Sequence, residues 1–243
     1  MSAYRAFLGG AGPPLTLIHG FGADRLAWAA LVPALGPHAT LEATELPAHG
    51  KAGRAPDDPS PRGLAAIVAD AMDAAAPRPV VAHSLGATVA LHLAQDRPGL
   101  VSRLVLIAPA LWGGPLNDAF LRGLPQVQTG VEAQDLLQRL VANPRFLPPG
   151  IGDALVASLD AARRADWARI ADALLAAAPP PVPDVPVTVL WGREDRINPH
   201  DPDALPDGLT ATLIEGAGHL PHAEKSSAVA RAIKAALFEH PPG

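Results

Sequence analysis

Uninterrupted apolar runs alternate along the chain with segments in which apolar residues return every three or four positions. Runs of the first kind are 14–20 (PLTLIHG), 79–84 (PVVAHS), 101–110 (VSRLVLIAPA), 185–192 (VPVTVLWG) and 211–218 (ATLIEGAG). They are rich in Leu and β-branched residues and lack polar alternation, as strands buried on both faces must be. They predict a mostly parallel sheet. The second kind, at 25–35, 62–75, 85–96 and 226–240, carries helical periodicity. Strand and helix take turns, which predicts a doubly wound α/β architecture.

The interval from Trp112 to Pro183 breaks this order. It holds helical stretches at 130–143 and 160–178 and no convincing strand, and it is bounded by the helix-breaking sequences WGGPLND and PPPVPDVP. About seventy residues are too many for an ordinary connection between neighbouring strands. The expected organisation is an α/β core formed by 1–111 and 184–243 and a helical cap formed by 112–183. The alternative is a set of crossover helices belonging to the sheet.

The 243 residues, 49% of them hydrophobic, suit one large domain or two small ones and suffice for a full core. No stretch approaches eighteen consecutive apolar residues, and MSAYRAFLGGAGPP lacks a basic region followed by an apolar segment. The expectation is a cytoplasmic protein without a membrane role. A formal charge of −5, with 19 basic residues scattered along the chain, offers no stripe for phosphate backbones, so nucleic acid is not an expected partner. There is no cysteine, which excludes disulfides, thiolate nucleophiles and cysteine-ligated metals. The residues His200, Asp201, Asp203 and Asp207 are separated by prolines without a defined ligand spacing and read as a solvated loop. Neither metal nor cofactor is expected, and oligomeric state is left open.

Chemistry concentrates at AHSLG (82–86). A nucleophilic serine on a sharp strand-to-helix turn needs small residues two places to either side, and Ala82 and Gly86 flank Ser84. The competing reading is a serine that only caps the following helix. Serine also needs a base to take its proton and a carboxylate to orient that base. Asp195 follows the fourth apolar run and His219 the fifth, so in a parallel sheet both emerge at the strand ends where Ser84 sits. Rival bases are His49, His83 and His222, and Glu194 is a rival acid. His83 would point to the other side of its strand.

Taken together, HGFG, AHSLG, WGREDRI and GAGHLPHAE resemble the α/β-hydrolase superfamily over nearly the whole chain. More narrowly, LIHGFGADRLAW, LIAPALWGGPLND and LWGREDRINP resemble the hydrolase-like domain of acetoin dehydrogenase dihydrolipoyl acetyltransferase subunits. No lipoyl domain is expected beside it, because Lys51, Lys225 and Lys234 are not preceded by Asp. The resemblance implies Ser84 as nucleophile, Asp195 as acid and His219 as base, the last because it follows GAG. It implies an oxyanion hole from the N–H groups of Phe21 and Leu85, with His19 holding its loop. Two departures stand out. Ala82 replaces the first glycine of G-x-S-x-G, and ELPAHG carries Glu45 and Ala48 where the family has Asp and Gly. With so few residues before PLTLIHG, one leading strand of the family's eight is expected to be missing or rudimentary.

The function expected from these features is a serine hydrolase that cleaves a small carboxylic ester or thioester through an acyl-serine. Trp112, Phe120, Leu121, Phe146 and Leu220, beside Phe21, are the candidate pocket residues. The same three side chains could instead serve carbon–carbon bond hydrolysis or acyl transfer. A non-catalytic ligand-binding module associated with a dehydrogenase complex is the reading from another class.

Overall fold

A computed structural model of the chain describes residues 3–72 and 76–239. Its seven strands are β1 (Tyr4–Gly9), β2 (Pro14–Ile18), β3 (Thr40–Glu45), β4 (Arg78–His83), β5 (Val101–Ile107), β6 (Val187–Gly192) and β7 (Ala211–Ile214). They form one sheet in the spatial order β1-β3-β2-β4-β5-β6-β7. All neighbouring pairs from β3 to β7 are parallel. The edge strand β1 is antiparallel to β3, and with seven strands among the described residues the sheet has one fewer than the eight that the resemblance implies.

Both strands that lacked an apolar run, β1 and β3, have physical reasons for it. Strand β1 is an edge whose Tyr4 and Phe7 side chains are exposed, so it needs no buried stripe. In β3, Leu41 and Ala43 are buried, but Glu42 and Glu45 interrupt the pattern. Glu42 is paired with Arg5 and Arg78, and Glu45 with Arg25.

Alternate residues of each strand point to opposite faces, which divides the core in two. Ile18, Val80, Ala82, Leu104 and Leu106 meet the helices Pro61–Ala71 and Leu85–Asp96 on one face. Leu17, Val81, Val105 and Leu190 meet Trp28, Leu31 and the helix Ser226–Leu237 on the other. The helix expected at 25–35 is instead a 3-10 turn, Arg25–Leu31, followed by a short α-helix, Val32–Leu35. Pro33 lies in the first turn of that helix and cannot donate the hydrogen bond that would continue α geometry backwards. Residues 73–75 and 240, at the ends of two expected helices, lie outside the described residues.

Parallel pairing brings the ends of β2, β3, β4, β5, β6 and β7 to one edge, where their following loops gather. Between β5 and β6 the described chain has no strand and four α-helices: Asp118–Gly123, Gly130–Leu137, Ile151–Ser158 and Ala161–Leu175. The buried Trp112 indole donates to Pro180 O at 2.8 Å and so joins the beginning of this insert to its end. No helix among the described residues is long and apolar enough to cross a membrane.

Candidate active site

Ser84 lies between β4 and the helix Leu85–Asp96 with φ 52° and ψ −119°, a left-handed conformation that costs energy for any residue bearing a Cβ. Its surroundings enforce the turn. Ser84 N–H donates to Ile107 O at 2.9 Å, and Ser84 O accepts from Ala110 N at 3.3 Å. A Cβ on Gly86 would lie 2.5 Å from Ile18 O and closer still to His19 O, so the helix start is pressed against the end of β2. Ala82 is fully buried, paired in the sheet with Ile18 of β2 and Leu106 of β5.

Three strand ends converge on the serine. His219 Nε2 is 3.0 Å from Ser84 Oγ, and His219 Nδ1 is 2.7 Å from Asp195 Oδ2. The second Asp195 oxygen accepts the N–H groups of Ile197 at 2.8 Å and Asn198 at 3.0 Å. An ionised carboxylate accepts, so Nδ1 carries the hydrogen and Nε2 presents its lone pair to the serine hydroxyl. Ser84, Asp195 and His219 are 7%, 6% and 3% exposed, which keeps the chain of hydrogen bonds away from competing water.

The rival residues have other work. His83 points to the opposite face of β4, where its Nε2–H donates to His219 O at 2.8 Å and its ring lies beside His222. Glu194 accepts the N–H groups of Gly216 and Ala217. His49 Nδ1–H donates to Pro47 O at 2.9 Å, and its Nε2 accepts Gly22 N–H at 3.0 Å. His19 is built the same way, donating to Gly20 O at 2.8 Å and accepting Leu46 N–H at 3.1 Å. Both rings must therefore be neutral, and burial lowers both pKa values, that of His49 to about 3. Burial also takes His222 down to about 3 and His83 well below the ordinary imidazole range.

His19 and His49 together fasten the turn after β2 to the loop after β3. That turn carries Phe21, and its start lies against the serine, since a Cβ on Gly20 would be 3.1 Å from Ser84 Cβ. Leu85 is the first residue of its helix, where an N–H has no partner within the helix. The substituted ELPAHG loop does structural work: Glu45 accepts from Arg25 Nη1 at 2.9 Å and from Lys51 N at 2.6 Å. Ala48 adopts φ 68° where a glycine would be unstrained.

The residues that pack over the Phe21 turn are ones the sequence reading missed. A Cβ on Gly22 would be 2.6 Å from Leu124 Cδ2 and 3.8 Å from the Trp167 ring. The Trp167 ring lies 5.5 Å from that of Phe21 and is stacked on His49 at 5.2 Å, and its N–H donates to Ala48 O at 3.0 Å. Beside it, buried Asp166 binds Arg54 through two hydrogen bonds, which hold its pKa below the usual carboxylate range. Of the expected pocket residues, Trp112, Phe120 and Leu121 are buried in the apolar core, Leu220 is half-buried, and Phe146 is 47% exposed on a 3-10 turn.

The fold and the serine, histidine and aspartate at its strand ends define a class to which the sequence comparisons also lead. Residues 17–232 match the model of the alpha/beta hydrolase family, and the chain belongs to that family. It is 31% identical over 253 residues to the pimeloyl-[acyl-carrier protein] methyl ester esterase of Methylococcus capsulatus, covering 92% of this chain and 94% of that protein. It is 28% identical over 241 residues to the dihydrolipoyllysine-residue acetyltransferase component of the acetoin cleaving system of Cupriavidus necator. That match takes in 90% of this chain, which spans only 62% of the length of the acetyltransferase component. Among solved structures, the 2-hydroxy-6-oxo-6-phenylhexa-2,4-dienoate hydrolase of Rhodococcus sp. strain RHA1 shares the fold with a TM-score of 0.80 at 17% identity, over 96% of this chain and 93% of that one.

Proposed function

We propose that the protein is a serine hydrolase that cleaves a compact carboxylic ester or thioester through an acyl-serine, with Ser84, His219 and Asp195 as its catalytic triad. The observation that carries this reading is the unbroken hydrogen-bonded path from Ser84 Oγ through both nitrogens of His219 to Asp195, at 3.0 and 2.7 Å. Ser84 Oγ attacks the carbonyl carbon while His219 Nε2 takes its proton. Asp195 stabilises the imidazolium through Nδ1–H. The imidazolium then protonates the departing alcohol or thiol as its bond to the acyl carbon breaks. Water, deprotonated by His219, next attacks the acyl-serine, and the returning proton restores Ser84.

Negative charge on the carbonyl oxygen is met by the N–H groups of Phe21 and Leu85. Each such donor contributes about 3 kcal/mol to the transition state. Placement of the turn beside Ser84 and of Leu85 at a helix start supports this pair. The apolar cover of Leu124 and Trp167 over that turn favours a small acyl group without charge. The esterase relative supports ester cleavage as the reaction class.

The test compares wild type with Ser84→Ala on p-nitrophenyl acetate, butyrate and octanoate and on matching thioesters. Loss of turnover by roughly four orders of magnitude or more is expected. The short acyl chains should be preferred, and undiminished turnover by Ser84→Ala would overturn the assignment.

A further inference from the structure

The loop that presents His219 is gripped by side chains outside the triad. Glu194 accepts Gly216 N–H at 3.2 Å and Ala217 N–H at 2.9 Å, and Glu224 accepts Gly218 N–H at 2.7 Å. From below, His83 donates to His219 O at 2.8 Å. The two carboxylates differ in kind. Glu194 is exposed, so water can replace what it gives, whereas Glu224 is 5% exposed. Burial raises the pKa of Glu224, against the three backbone N–H groups that favour its ionised form.

Glu224 also reaches beyond its own loop. Its second oxygen accepts Ala142 N–H at 2.8 Å and Asn143 N–H at 3.4 Å, both in the insert. The backbones it joins are in close contact, since a Cβ on Gly218 would be 2.8 Å from Leu140 O and from Ala142 N. Next to the triad acid, Arg196 Nη2 donates to Val141 O at 3.3 Å. The segment Leu140–Asn143 is thus docked on the loops that carry both His219 and Asp195.

Resting on the reading of His219 as the general base, we propose that Glu224 is a positioning residue: its carboxylate clamps the His219 loop to the Leu140–Asn143 segment, so that docking of the insert sets the aim of the imidazole. The insert and the base then form one mechanical unit, and a change in how the insert docks is felt at His219 Nε2 without any contact between the insert and the serine. An uncharged amide of the same shape has one acceptor oxygen, so it cannot serve Gly218 N–H and Ala142 N–H together.

The experiment uses the full chain carrying Glu224→Gln, with Glu194→Gln in parallel. Competent sites are counted by fluorophosphonate titration, and kcat per titrated site and KM are measured on p-nitrophenyl acetate. The low-field proton resonance of the His219–Asp195 hydrogen bond is followed by NMR. For Glu224→Gln, kcat per site should fall about tenfold to a hundredfold, with KM within about twofold and the resonance shifted or broadened. Glu194→Gln should change kcat less than threefold, roughly the scale of a water-replaceable contact. A Glu224→Gln protein with wild-type kcat per site and an unmoved resonance would overturn the clamp. That outcome is distinguishable from failure of the triad itself, which would show as turnover surviving in Ser84→Ala.

Discussion

Acid should destabilise this protein well above the pH at which its carboxylates protonate. His49 and His222 are buried, and both pKa values are held at about 3 against 6.5 in the free side chain. Burial disfavours their charged forms, so the unfolded chain binds protons that the native state refuses. The stability from neutral imidazole is therefore complete above pH 6.5 and is lost as pH falls from there toward 3. At pH 5 an imidazole of pKa 6.5 gains about 2 kcal/mol from protonation in the unfolded state, so the pair costs the fold about 4 kcal/mol relative to pH 7.5. His19 and His83, also lowered by burial, act in the same direction. Glu224 acts in the opposite direction, because its raised pKa makes ionisation costly to the native state as pH rises. Asp166, held low by Arg54, contributes losses only below the ordinary carboxylate range. For a chain of this size 1 kcal/mol moves Tm by roughly 2–4 °C, so Tm should drop about 8–16 °C between pH 7.5 and 5.0. Calorimetric melts at half-unit pH steps measure it. A Tm that stays within 3 °C, or roughly 1 kcal/mol, across that interval would refute the assignment of neutral, buried histidines.

Three further outcomes follow from the geometry. Asp195→Asn should keep the fold but lower kcat by about 10⁴-fold, because the amide meets the Ile197 and Asn198 N–H groups with its oxygen and presents N–H to His219, which forces the wrong tautomer. Kinetics of the folded variant, verified by circular dichroism, check this. Ala48→Gly should relieve the strain at φ 68° and raise stability by about 0.5–1 kcal/mol, seen as a higher Tm in calorimetry. Gly86→Ala should cost about 3 kcal/mol or more and abolish turnover, since its methyl would overlap the backbone oxygens of Ile18 and His19, which cannot move aside. Denaturant melts and ester assays read both effects.

The parallel strands and the three converging residues were legible because each signal is local: an apolar run, then a chemical group just past its end. Ser84, Asp195 and His219 all occupy that position, and parallel pairing of β4, β5, β6 and β7 does the rest. Strand β3 hid because a buried glutamate looks like a surface residue until Arg25 and the Lys51 N–H are seen to satisfy it. Glu224 hid for the same reason, since its donors come from residues 82, 81 and 6 positions away. Trp167 sits among charged residues on its helix, and its partner Ala48 is 119 residues distant. The residues over the Phe21 turn are chosen by how the insert folds back, which no local pattern records.

Covalent acylation of Ser84 during turnover is read by rapid mixing with p-nitrophenyl acetate followed by acid quench and peptide mass spectrometry. A burst of p-nitrophenolate close to one per active molecule and an acetyl group on the peptide carrying Ser84 are expected, both absent from Ser84→Ala. Turnover without a burst, with the added mass on another residue or on none, would contradict that acylation.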